Sequence, residues 1–157
     1  MTKILVALSW GHQFPKPGIS NEVMAQEIRR IKDSFDVLII QYEVGQVLKQ
    51  LGVSVDYVIG QPGVYINTFQ VIQDLINWLM GHNLSPSKNQ IWIICHSTHW
   101  GGIKAVLKKF NLTAQKISAN IPYDPNSHQW YTRGPFRAFI GKILHGIGYL
   151  SRGEIGI

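Results

Sequence analysis

Short apolar runs alternate along this chain with longer stretches in which apolar residues recur every three or four positions. The two periods predict strands and helices in succession. Residues 4–8, 37–40, 57–59 and 91–95 are short, rich in β-branched residues and closed by polar or glycine-containing turns, as buried strands are. A weaker fifth run lies around 115–119. Between the first two, residues 20–34 carry Val23, Ile28 and Ile31 on one helical stripe, and residues 43–51 carry Val44, Val47, Leu48 and Leu51 before Gly52. A third helix is marked at its start by Asn67, with Gln70 three residues later as in a capping box. Its buried face is Val71, Ile72, Leu75, Ile76 and Leu79, and Gly81 is placed to stop it in the left-handed conformation. After residues 91–95, Thr98 can cap a helix running from His99 towards Phe110.

Beyond the fifth run the pattern changes. Residues 119–135 contain Pro122, Pro125, Gly134 and Pro135 and read as a long loop, a lid on which Tyr123, His128 and Trp130 could cover a ligand. From Pro135, a last amphipathic helix over 135–151 shows an apolar stripe of Phe136, Phe139, Ile140, Ile143, Leu144, Ile147 and Leu150, expected to pack on the sheet. Strand-helix alternation with right-handed crossovers specifies an α/β fold: one doubly wound, Rossmann-like, three-layer αβα domain over residues 1–157, with a mainly parallel sheet of about five strands. In such a sheet ligands bind beyond the carboxyl ends of the strands. The loops at 9–12, 42–43, 61–68, 96–99 and 120–124 should therefore converge.

Composition narrows the class. The 157 residues, 45% of them apolar, suit a single core. The lone cysteine, Cys95, ends an apolar run and reads as a buried thiol in a reducing compartment. The apolar run at 4–8 is too short for a signal or spanning segment, so a soluble, cytoplasmic protein without a transmembrane segment is expected. The net charge of +6 is unevenly placed, for residues 1–103 balance seven basic against seven acidic side chains. Beyond Ile103, Lys104, Lys108, Lys109, Lys116, Arg133, Arg137, Lys142 and Arg152 face only Asp124 and Glu154. That third should attract an anion, whether a small molecule, a membrane surface or nucleic acid.

The richest chemistry follows the fourth strand, in His96-Ser97-Thr98-His99-Trp100-Gly101-Gly102. His99, with an ordinary pKa near neutrality, is a candidate general acid or base, and Glu43, from a neighbouring strand end, could orient it. Ser9, Ser97 and Thr98 could hold ligand oxygens. Helix amino termini at Asn67 and Thr98 suit a phosphate or carboxylate. Neither G-x-G-x-x-G nor a P-loop signature is present, which disfavours the usual dinucleotide and nucleoside-triphosphate modes.

These residues resemble the YdcF-like family (domain of unknown function 218), which includes SanA- and ElyC-like proteins. The resemblance covers roughly residues 4–111. Asn67-Thr68 matches an Asn-Thr that opens a helix after the third strand, Gly52-Val53 matches the Gly-Val before that strand, Glu43 falls where the family has a Glu, and His99 matches its histidine after the fourth strand. The turn Ser9-Trp10-Gly11-His12 stands where the family has a glycine-rich turn. Gly101-Gly102 occupies the region of a family arginine, whose charge Lys104 is placed to replace without the guanidinium fork. The resemblance implies a site that binds a nucleotide-like or other anionic small molecule, with S-adenosylmethionine a candidate. It places Asn67 and Thr68 at the ligand, with Lys104 in place of the arginine, and His99 and Glu43 at any chemistry; Ser9, Gly11, Ser97 and Thr98, in the loops at the strand ends, complete the candidate ligand-binding set. Other readings are a small hydrolase or transferase using His99, a zinc site from His96 and His99 with His12 or His128, and nucleic-acid or anionic-surface binding. The last would use Trp130, Tyr131 and Phe136 beside Arg133 and Arg137.

Overall fold

In the computed structural model, which describes residues 1–151 with side chains as far as Ile143, the alternation becomes a five-stranded, all-parallel sheet. The strands are β1 (Lys3–Ala7), β2 (Val37–Gln41), β3 (Tyr57–Ile59), β4 (Gln90–Ile94) and β5 (Gln115–Lys116), in the order β3-β2-β1-β4-β5. Four helices connect or cover them: α1 (Ile19–Ile31), α2 (Tyr42–Gln50), α3 (Thr68–Gly81) and α4 (Trp100–Lys109). The helix α5 (Pro135–Ser151) follows a long loop.

Successive strand residues point to opposite faces, and the chain uses both faces for burial. Ile4, Val6, Ile39, Ile91 and Ile93 join Val71, Ile72, Leu75 and Leu79 of α3 and Ile103 and Leu107 of α4 in one core. Leu5, Ala7, Leu38, Ile40 and Ile94 join Met24, Ala25 and Ile28 of α1 and Val44, Val47 and Leu48 of α2 in the other. This is the doubly wound, three-layer arrangement. The chain leaves β1 for β2 on one side and returns to β4 on its other side, with Ala7 paired to Ile40 and to Ile94. Strand order thus reverses between β1 and β4, and a crevice opens at their carboxyl ends.

Three local expectations are corrected. Thr98 caps no helix: α4 begins at Trp100 with His99 as its N-cap residue, and the Thr98 hydroxyl instead meets the Tyr123 hydroxyl at 2.7 Å. Gly81 lies within α3, and the left-handed residue that ends the turn is Asn83, with φ of 58°. Most consequentially, three of the described apolar residues of α5 are not laid on the sheet. The helix packs through Ala138 and Gly141 against the short 3-10 turn Trp130–Thr132, because a Cβ at Gly141 would meet the Tyr131 Cβ at 2.6 Å. Phe136, Phe139 and Ile143 are exposed. The side chains of Leu144, Ile147 and Leu150 lie outside the described residues, as does Arg152.

Candidate functional site

The β1 end is shaped from below. The N–H of Ser9 donates to Gln41 Oε1 at 3.0 Å, tying the first turn to the end of β2. Asn21, fully buried on α1, accepts from the Trp10 N–H at 2.9 Å and donates to the carbonyls of Gly11 and Pro17 at 2.6 and 2.7 Å. Held in this way, the Trp10 indole lies flat on the His96 ring at 4.7 Å and tilts over His99 at 5.4 Å. Gly11 has φ of 70°, and a Cβ there would fall 2.7 Å from Thr132 Oγ1 and 2.8 Å from Ser127 Oγ. Its glycine is required by the packing of the 119–135 loop.

That loop is latched onto the β1 turn. Asp124, fully buried, accepts from Gln13 Nε2 with both carboxylate oxygens, at 2.8 and 3.1 Å. The His12 N–H donates to Ser127 Oγ at 3.1 Å, and the His128 N–H donates to the His12 carbonyl at 2.7 Å.

Between these segments and the starts of α2, α3 and α4 lies a cavity of about 520 Å³, within the range of small-molecule sites. Its polar wall is Ser9, Trp10, Gly11, Glu43, Thr68, Thr98 and His99. Its outer wall is aromatic and aliphatic, with Phe14, Val64, Tyr65 and Phe69, and Tyr131 closes it from the loop. Lys16, Lys109 and Lys142 bring positive charge to it. No ion pair holds any of these lysines among the described residues.

Three buried atoms in this wall have no hydrogen-bond partner: Trp10 Nε1, Glu43 Oε2 and His99 Nδ1. The other ring nitrogen of His99, Nε2, shares a hydrogen bond of 2.9 Å with the Thr68 hydroxyl. Burial, with a smaller contribution from His96 nearby, lowers the His99 pKa from 6.5 to about 4. The ring is therefore neutral at pH 7, fit to hydrogen-bond a ligand but a weak base and not a cationic proton donor. His96 is likewise lowered to about 4, by burial and then by Lys116 and Lys142. Its Nδ1 accepts the Thr98 N–H at 3.2 Å, so it supports the turn before α4. Burial pushes the Cys95 thiol up to about 12, which keeps it protonated and unreactive.

The structure therefore sorts the expected residues. Ser9, Gly11, Glu43, Thr68, Thr98 and His99 gather at one cavity. Glu43 does not orient His99, since Thr68 holds that ring and Glu43 Oε2 is unpaired. Asn67 lies outside the cavity wall, with both halves of its capping box formed: its side chain accepts from the Gln70 N–H and its own N–H donates to Gln70 Oε1, each at 2.9 Å. Ser97 is exposed and also outside. Lys104 points away because Gly102, Ala105, Val106 and Lys109 form the cavity-facing stripe of α4. Lys109 thus supplies the charge expected of Lys104. Gly101 and Gly102 crowd nothing, for a Cβ at either would have open space.

On the loop, Gln129 and Tyr131 line the cavity, while His128 and Trp130 are exposed and Tyr123 sits against His96 and Thr98. Sequence alone does not point to Trp10, Lys16 and Lys142 in the wall, or to Asn21 beneath Trp10, because they come from the 9–18 turn, α5 and α1, which only the folded chain brings together. Among the described residues no group of three or more His, Cys, Asp or Glu is placed to hold a metal ion, and no helix is long and apolar enough to cross a membrane. Comparison with protein-family models, curated proteins and solved structures finds no match to the chain.

Proposed function

We propose that the chain binds an anionic, nucleotide-like small molecule in the cavity at the carboxyl ends of β1 and β4. The YdcF-like resemblance points the same way. The observation that carries the reading is the coincidence of three unpaired buried polar atoms, Trp10 Nε1, Glu43 Oε2 and His99 Nδ1, in the wall of one cavity. An unsatisfied buried polar group costs about 1–3 kcal/mol, and native proteins keep few of them. A ligand that accepts from the Trp10 indole and donates a hydroxyl or amine proton to Glu43 removes that cost on binding.

The remaining wall fits the rest of such a ligand. Lys16, Lys109 and Lys142 attract a phosphate or carboxylate as point charges, and Phe14, Tyr65 and Phe69 offer ring faces to a planar base. Ribose hydroxyls, an amino group and an anionic group occur together in nucleotides, and S-adenosylmethionine carries the same groups with a carboxylate as its anion. Mass spectrometry of untagged protein under native conditions, followed by thermal shift with adenine nucleotides and S-adenosylmethionine, tests the reading. Expected is a ligand that raises Tm and whose affinity falls about tenfold or more in Glu43→Ala. No shift across both ligand classes, or affinity unchanged in both Glu43→Ala and His99→Ala, would refute it.

A further inference from the structure

We propose that α5 lies in the plane of an anionic lipid bilayer and holds the protein there. Its inner face is made of small residues. Ala138 is 3% exposed, and Gly141 packs so closely on Tyr131 that a Cβ would clash at 2.6 Å. Of the described large apolar residues, Ile140 is half-buried and the other three are turned outward: Phe136, Phe139 and Ile143 are 73%, 62% and 50% exposed. At positions i, i+3 and i+7 they form one stripe, with Arg137 and Lys142 on its two flanks. Single exposed apolar side chains are ordinary, but a contiguous stripe of this kind marks a surface that is covered in use.

Charge selects the cover. Beyond Ile103 the described residues include Lys104, Lys108, Lys109, Lys116, Arg133, Arg137 and Lys142 against one acidic side chain, Asp124, which is buried and occupied by Gln13. None of these cations forms an ion pair with a described residue. A second copy packed stripe to stripe would bring Arg137 and Lys142 against their own counterparts. Nucleic acid would meet the cations, yet its phosphate backbone gives Phe136, Phe139 and Ile143 no apolar layer to enter. A bilayer with anionic headgroups offers both, because a helix in the interface buries its apolar face at the acyl boundary while flanking cations meet headgroup phosphates. Lying in the plane requires an apolar face and no spanning length.

Co-sedimentation of the full chain with phosphatidylcholine vesicles, with and without about one third phosphatidylserine, tests this. Expected is binding about tenfold or more stronger to the anionic vesicles, weakened by salt. Phe136→Ser/Phe139→Ser should lose about tenfold of it with Tm unchanged, since both side chains are exposed; Phe139→Leu should keep it. Ile143→Ser, a milder change, should lose about threefold and stands in should the double variant misfold. No preference for anionic vesicles, or binding unaffected by Phe136→Ser/Phe139→Ser and by Ile143→Ser, overturns the proposal. It is overturned equally by a lipid-free dimer, or by oligonucleotide binding, that these variants abolish.

Discussion

Glu43 stands in the first turn of α2, where the helix dipole favours a carboxylate, yet its Oε2 is buried without a partner. A side chain kept for a ligand is a burden to the empty protein. Glu43→Leu should therefore raise the unfolding free energy of ligand-free protein by about 1 kcal/mol while abolishing the affinity gained from Glu43. Urea unfolding would show it, and a clear destabilisation would mean that the carboxylate supports the fold. The two histidines set a pH dependence whose sign is fixed. Both are held near 4 in the folded state against 6.5 in the unfolded chain, so between those values the unfolded state binds more protons. Stability should be flat above about pH 6.5 and fall as the pH drops towards 4, by on the order of 1 kcal/mol per pH unit for each histidine. In His96→Gln/His99→Gln that part of the slope should disappear; a wild-type profile level from pH 7 to 5 would contradict the burial argument.

At the scale of elements, the capping box of α3 separates structure from binding. Asn67→Ala should cost about 1 kcal/mol, Asn67→Asp much less, and neither should alter ligand affinity in the folded protein; a selective loss of affinity on calorimetric titration would return Asn67 to the site. Elements of this kind are legible in sequence because their signals are local. Strands β1, β2 and β4 are short, largely unbroken apolar runs covered on both faces, and the buried faces of α1 to α3 repeat at about 3.6 residues. What sequence misplaces is the phase or the outward sense of an element. At the start of α4 the Thr98 hydroxyl is drawn off to Tyr123, 25 residues later, and the side of the helix that faces the cavity holds Lys109 and excludes Lys104. In the described part of α5, Phe136, Phe139 and Ile143 do share one side, but an apolar stripe does not say which side meets the core. The small residues Ala138 and Gly141 decide that, and they are silent until Tyr131 is opposite them.

Across the whole molecule, the strand reversal between β1 and β4 makes the crevice, and two loops distant in sequence turn it into a cavity. Residues 9–18 and 119–135 each contribute wall, through Trp10, Phe14 and Lys16 on one side and Gln129 and Tyr131 on the other. Their junction converges on Asp124. The carboxylate takes both bonds from Gln13 and a third from the Asn126 N–H at 3.1 Å, and Gly18 leaves it room by lacking a Cβ. Asp124→Ala strands the Gln13 amide and the Asn126 N–H, which should cost about 1–3 kcal/mol. Because the two hydrophobic cores take only Ala119 and Ile121 from these segments, the loss should appear first as local opening. Hydrogen exchange should accelerate in 9–18 and 119–135 while β1, β2 and β4 stay protected, and affinity for the cavity ligand should fall with it. Uniform acceleration through the strands would mean that Asp124 holds the global fold, and no acceleration would mean that the loops close the cavity without this latch.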